Sequence, residues 1–280
     1  DFYKDLSVRT VVIPSGDKPS VVCDAPQDYA KDTSPDKGAV ACYLKDPSTE
    51  LELLLVNCHL FGTNKYGVCE AVFDEHRRVQ LKAIDVALKA CLPSSAPARM
   101  VLLGDLNFRV EILNDAKDKA RGGNDFQAVV KVARKGGPEA LLQLYKKSDR
   151  LRPLLEERKP LPPGGVSNGS LRPAILPTGE RIRESKYHTP EDEVPALLAS
   201  LQDGLGAALA RGEVVRPTFT YNPRDTSTTP RRYNDKRTPS WPDRILWRGF
   251  VDHDRVAHQF AAVRDVISSD HEPVYCLLAL

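Results

Sequence analysis

Four short stretches carry the residues that could do chemistry. They are "NCHL" (57–60) with Asn57 and His59, "GDLNFR" (104–109) with Asp105, Asn107 and Arg109, "PSWPDRILW" (239–247) with Asp243 and Arg244, and "SSDHEPV" (268–274) with Asp270 and His271. Each alone has an ordinary structural reading. Gly-Asp-x-Asn is a common turn, a His after a strand is usually a hydrogen-bonded surface group, and Trp241 and Trp247 read as core. Together they supply two imidazoles, three carboxylates, amides and two guanidiniums, which suits metal-assisted hydrolysis of a phosphate ester. A hard cation takes carboxylate oxygens, an attacking water needs a carboxylate base, and charge gathering on phosphoryl oxygens needs His, Asn and Arg donors. Neither a Cys-x5-Arg loop nor a Gly-rich phosphate loop is present to favour a cysteine phosphatase or an NTPase.

Each cluster abuts an apolar run of strand length. Runs at 8–13, 39–44, 51–57, 99–105, 244–247, 257–263 and 273–280 read as strands, bounded by Gly, Pro and Asp. Between the third and fourth runs, Leu81, Ile84, Leu88 and Cys91 recur at helical spacing and predict one amphipathic helix. A second helix is expected over 124–147, interrupted at Gly136-Gly137-Pro138, and a third over 192–211. The Pro-, Gly- and charge-rich 150–190 stretch reads as a long surface loop or insertion. This alternation predicts a layered α/β domain with polar residues at strand ends.

Composition narrows the partners. Lys plus Arg number 40 against 38 acidic residues, a net +2, so an anionic ligand must be gripped locally and not by the whole molecule. No apolar run approaches the ~20 residues that span a bilayer. The six cysteines include no C-x-x-C pair and read as buried free thiols.

The motif order "NCHL", "GDLNFR", "PSWPDRILW", "SDHEPV" resembles the inositol polyphosphate 5-phosphatases of the endonuclease/exonuclease/phosphatase superfamily. Residues 104–109 match that family's Gly-Asp-Leu-Asn-Tyr/Phe-Arg throughout. Residues 239–246 match its Pro-Ala/Ser-Trp-Cys-Asp-Arg-Ile/Val-Leu except at Pro242. "SPDKGAVA" (34–41) and "RPTFTYNP" (216–223) are similar to two further family segments. The resemblance implies a DNase I-like fold, a four-layer sandwich of two mixed sheets flanked by helices. It implies Mg²⁺-dependent removal of the 5-phosphate from phosphoinositide head groups or soluble inositol polyphosphates, in a cytoplasmic protein that touches membranes peripherally and binds no nucleic acid. By resemblance Asp105 activates the water, Asn107 positions it or the phosphoryl group, and His59 and His271 contact phosphoryl oxygens. Asp243 would orient His271, Asp270 would join the metal or water shell, and Arg109 and Arg244 would support the site. Lys37, Lys236 and Arg237 complete the expected substrate-binding set with those arginines.

Departures from the family keep alternatives open. The family's upstream Asn-x-Asn strand and its Gln-Glu, whose Glu binds Mg²⁺, do not occur before Asp36, and the chain starts at Asp1. The expectation is one catalytic domain over 1–280, incomplete at its N-terminus, with an insertion at about 150–210. Phe219-Thr220 stands where the family's Tyr-Lys grips a 4-phosphate. Losing that ammonium removes a contact of about 1.5–3 kcal/mol, for which Lys236 or Arg237 would compensate. Two rivals remain: a DNase-like or abasic-site endonuclease on the same scaffold, and a non-catalytic phosphoinositide-binding module.

Overall fold

A computed structural model describes residues 7–14, 22–23, 37–46, 51–62, 70–92, 97, 99–111, 126–156, 196–198, 200–223, 231–234, 237–250, 259–266 and 268–278. Its main sheet follows from the apolar runs. The strands are β1 (Ser7–Pro14), β2 (Val22–Cys23), β3 (Gly38–Asp46), β4 (Leu51–His59), β5 (Arg99–Asp105), β6 (Gln202–Asp203) and β7 (Asp243–Arg248). Their spatial order is β2-β1-β3-β4-β5-β7-β6. Every pairing is antiparallel except β4 with β5. A parallel pair needs a long crossover, and helix α1 (Glu70–Cys91) supplies it.

Side chains on a strand alternate between the two faces of its sheet. Ala39, Ala41, Leu54, Val56, Met100, Leu102 and Leu246 go to one face and pack with Leu81, Ile84 and Leu88 of α1. The opposite face carries Leu53, Val101 and Trp247, with Phe250 and the partly buried Leu55, Leu103, Ile245 and Cys276. Cys276 belongs to the second sheet, formed among the described residues by antiparallel β8 (Phe260–Ala262) and β9 (Val274–Cys276). Helices α2 (Phe126–Lys135), α3 (Pro138–Ser148) and α5 (Gly204–Ala210) share a core with Phe260, Val274 and Cys276. The order helix, sheet, sheet, helices is the expected layering.

The differences from the sequence reading are local. The expected mixed second sheet is a two-stranded antiparallel ladder among the described residues, extended by isolated bridges such as Phe219 with Ser240 and with His271. The expected 192–211 helix resolves into a single turn at 196–198, strand β6 and α5, because Asp203 caps α5 with its carboxylate on the Leu205 N–H. Within the expected 150–210 insertion, Arg152–Glu156 forms short helix α4; residues 157–195 lie outside the described set. Among the described residues Cys42, Cys58 and Cys276 are free thiols, and Cys58 is buried.

Candidate active site

The register of the main sheet builds the site. β4 lies beside β5 with His59 opposite Asp105, and β5 lies beside β7 with Asp105 opposite Asp243. Three polar residues from three sequence motifs therefore stand in one row across adjacent strands. Gly38 of β3 continues that row beside His59. Gly104 makes the close approach feasible. Its φ of +123° suits glycine, and a Cβ there would sit 2.0 Å from the Cys58 carbonyl oxygen.

The second sheet brings the fourth motif to this row. Phe219 pairs with both Ser240 and His271, so its short segment fastens the 268–274 stretch to the end of β7. Asp243 accepts from His271 Nδ1 at 3.0 and 3.1 Å through its two oxygens. Thr218, fully buried, donates its hydroxyl to Asp243 Oδ2 at 2.7 Å. His271 Nε2 then lies 4.0 Å from Asp105 Oδ2, and His59 Nε2 lies 3.4 Å from the same oxygen. Lys37 reaches His59 Nε2 with its ammonium.

Electrostatics divide the work. Burial opposes ionisation of Asp105, but the hydrogen bond from His59 and the charges of Arg109, His271 and His59 outweigh it. The carboxyl is held below the ordinary carboxylate range. Burial disfavours the His271 cation, yet the hydrogen bond and charge of Asp243, with Asp105 and Asp270 behind them, raise its pKa above the usual imidazole value. An ionised acceptor and an imidazole biased toward its cation thus face the same few ångströms of space.

The turn after β5 is fixed from within. Asn107 takes φ +58°, a left-handed conformation that Asn tolerates better than most residues. Its N–H donates to Asp105 Oδ1 at 3.0 Å, its Nδ2 donates to the Leu60 carbonyl at 2.9 Å, and its Oδ1 accepts from Arg109. At 2% exposure, with both ends of the amide engaged, Asn107 braces the turn. The expected direct grip on water or phosphoryl oxygen is not what this geometry presents. Arg109 is likewise buried, stacked with its Cζ 4.0 Å from the Phe219 ring centre. Its charge reaches Asp105.

Arg244 is the clear correction. It follows Asp243 in β7, so the pleat turns it to the other face of the sheet. There it is fully buried, with NH1 2.8 Å from Asp149 Oδ2 and NH2 against Asp203. Tyr145 donates its hydroxyl to Asp203 at 2.7 Å. Arg244 ties β7 to the helical layer and pairs with none of the site carboxylates.

Of the remaining expected residues, Lys37 is at the site through His59, and Arg237 is exposed with its Cζ 5.7 Å from the Phe219 ring centre. Lys236 lies outside the described residues. Half-buried Asp270 lies beside His271, and its backbone carbonyl accepts from the Tyr221 N–H at 2.9 Å. Phe219 and Thr220 are both buried, so neither stands where a phosphate could be gripped from solution. Among the described residues no group of three or more His, Cys, Asp or Glu side chains is placed to hold a metal ion. Asp105 and Asp243 are already engaged by histidines and Thr218, so the described donors do not fit a divalent-cation cage by themselves. The sequence reading missed Thr218 and the buried role of Phe219. Their only signal is alternation in "RPTFTYNP", too short to assign faces.

Comparison with known proteins agrees with this architecture. Residues 209–277 match the model of endonuclease/exonuclease/phosphatase family 2. No curated protein sequence matches the chain. The solved inositol polyphosphate 5-phosphatase domain of SPsynaptojanin, in complex with inositol (1,4)-bisphosphate and a calcium ion, superposes with a TM-score of 0.56 at 17% identity. The match covers 99% of this chain and 56% of that one, so the chain spans little more than half that domain's solved length. Cimex nitrophorin follows at TM-score 0.47 and 12% identity, covering 97% of this chain and 64% of that one. A mannosyl-6-phosphatase of Bacteroides thetaiotaomicron gives 0.37 and 12%, covering 99% and 68%. The first superposition fixes the fold as DNase I-like, and the stretch matched by the family model holds the third and fourth motifs.

Proposed function

We propose that this chain is a phosphomonoesterase catalytic domain that removes the 5-phosphate from phosphoinositide head groups or soluble inositol polyphosphates. The observation that carries the reading is the row His59–Asp105–Asp243 with His271 facing it, an anionic acceptor and two imidazoles around one small space. The similarity to a 5-phosphatase domain solved with an inositol bisphosphate supports that substrate class.

In this mechanism Asp105 Oδ2 accepts a hydrogen bond from the attacking water, while Oδ1 is held by the Asn107 N–H. Its lowered pKa keeps it ionised at neutral pH and limits its strength as a base. Proton transfer to it therefore belongs late, when bond formation to phosphorus has made the water acidic; the phosphorus–oxygen bond to the inositol breaks on the opposite side, and the departing oxygen takes its proton from solvent. His271, oriented by Asp243 and biased toward its cation, donates from Nε2 to a phosphoryl oxygen, and the Lys37 ammonium beside His59 adds positive charge on the other side. The Mg²⁺ that the resemblance implies has no cage among the described residues, and no step here is routed through it. Exposed Arg237 is positioned to meet a second phosphate, and the setting we assign is the cytoplasmic face of a membrane, contacted peripherally.

The test is phosphate release from short-chain phosphatidylinositol 4,5-bisphosphate, the 3,4,5-trisphosphate and soluble inositol 1,4,5-trisphosphate, with Mg²⁺ or EDTA. Asp105→Asn is the control, and plasmid nicking runs in parallel. Release that Asp105→Asn abolishes is the expected result, and the EDTA arm reads whether that release needs a cation. Nicking without phosphate release would replace this reading by the nuclease one. Binding of the lipid with neither activity would leave a non-catalytic module.

A further inference from the structure

We propose that Phe219 is a positioning residue whose buried ring holds the Arg109 guanidinium in place, and through it the Asn107 turn that carries Asp105. The inference rests on the phosphatase reading for its kinetic half only.

Phe219 is fixed before its ring is considered. Its N–H donates to the Ser240 carbonyl at 3.1 Å and its carbonyl accepts from the Ser240 N–H at 2.7 Å, while the next ladder position bridges it to His271. The ring is 1% exposed. Arg109 lies with its Cζ 4.0 Å from the ring centre, and the His271 ring centre is 4.6 Å away at an interplanar angle of 43°. The face of an aromatic ring carries negative charge density, so a desolvated guanidinium at this distance is attracted and oriented by it. From there Arg109 donates to Asn107 Oδ1, and Asn107 donates its N–H to Asp105 Oδ1. The path from Phe219 to the water-orienting carboxylate is therefore one stacked contact and two hydrogen bonds, all within buried or half-buried groups. A residue here need not touch the substrate to act on the rate, because displacing Asp105 by a fraction of an ångström spoils its aim.

Aliphatic bulk would fill the same space but offer no charged face. The test separates the two. Phe219→Leu keeps apolar volume, and 3,4,5-trifluorophenylalanine at 219 keeps the ring's shape while weakening its negative face. Each is made alone and with Arg109→Met, and kcat, KM and urea-unfolding stability are measured. Phe219→Leu is expected to lower kcat about tenfold, with a smaller change in KM, because only exposed Arg237, 5.7 Å from the same ring centre, is a proposed substrate contact. Trifluorophenylalanine should lower kcat in the same direction by a smaller factor. In the Arg109→Met background both changes should lose most of their effect on kcat, keeping only what passes through the ring's direct contact with His271, and couple non-additively in stability.

Wild-type kcat with trifluorophenylalanine, or additivity with Arg109→Met, would overturn the proposal. If Phe219→Leu does not fold, the trifluoro variant decides alone. If the wild-type chain releases no phosphate from any substrate, the phosphatase reading has failed and the stability cycle decides this one: coupling upholds the contact, additivity removes it.

Discussion

Asp243 and Arg244 are neighbours in sequence and belong to two different worlds. Asp243 joins a half-open cluster with His271, Asp105, His59 and Lys37, at strand ends facing solvent. Arg244 joins a sealed cluster with Asp149, Asp203 and Tyr145, between β7 and the helical layer. The residue types are nearly the same, but the charge balance is opposite. Around Asp105 the hydrogen bond from His59 and the charges of Arg109 and the histidines outweigh burial, and its pKa is lowered. In the sealed cluster two carboxylates share one guanidinium away from water. Burial, with the charge of Asp203 adding to it, pushes Asp149 up to about 6 despite Arg244. Arg244, desolvated but held by both acids, stays protonated. Sealed charge serves to fix packing, whereas half-open charge leaves polar groups that solvent or a ligand can reach.

The largest expected effects break this contrast in two different observables. Asp105→Asn should lower kcat by about 10²–10⁴ while shifting unfolding free energy by no more than about 1 kcal/mol. Arg244→Met should do the reverse. It strands two buried carboxylates and costs about 3–5 kcal/mol of stability, yet the molecules that remain folded should turn over normally. Urea denaturation and kcat per folded molecule measure both. A well-folded Arg244→Met with depressed kcat would mean that the two clusters are mechanically one.

The clusters should also carry opposite pH signatures in stability. The folded pKa of Asp105 lies below its unfolded value, so its contribution is present above about pH 4 and is lost as pH falls through the folded value. Asp149 is the converse case. Its folded pKa of about 6 exceeds the ordinary 3.8, so the folded chain holds that proton more tightly. Its contribution is complete in acid below the unfolded value and disappears as pH rises through about 6. Asp149→Asn should therefore flatten the decline in stability between about pH 4 and 6, where one proton accounts for at most about 1.4 kcal/mol per pH unit. Asp105→Asn should flatten only the acid limb. Unfolding free energy measured across pH 3–8 shows whether the two slopes differ in sign.

How much of this the sequence disclosed follows from what local pattern encodes. Strands β3, β4, β5 and β7 and helix α1 were legible, because each is long enough to show its period and is bounded by turn residues. The polar clusters were legible as types at strand ends. Their convergence needed the register, His59 opposite Asp105 opposite Asp243, and no local pattern encodes which strand lies beside which. Arg244 was misplaced for a simpler reason. Its motif was read as one unit, although a strand sends successive side chains to opposite faces. Two-residue β6 and the bridged 218–221 segment carry no period at all, so Asp203 and Thr218 came into view only when the chain was folded.

Thr218 offers the finest test of the open cluster. Its hydroxyl reaches Asp243 Oδ2 at 2.7 Å from a fully buried position, so it fixes the carboxylate that in turn orients His271. Val fills the same space without a donor, and Thr218→Val should lower kcat roughly two- to tenfold, the worth of one such hydrogen bond. Thr218→Ser restores the hydroxyl but not the methyl, and should return most of the rate while losing a little stability. The two variants pull apart orientation and packing. If Ser is slow and Val is fast, Thr218 matters to the core alone, and Asp243 is held by His271 without help from behind.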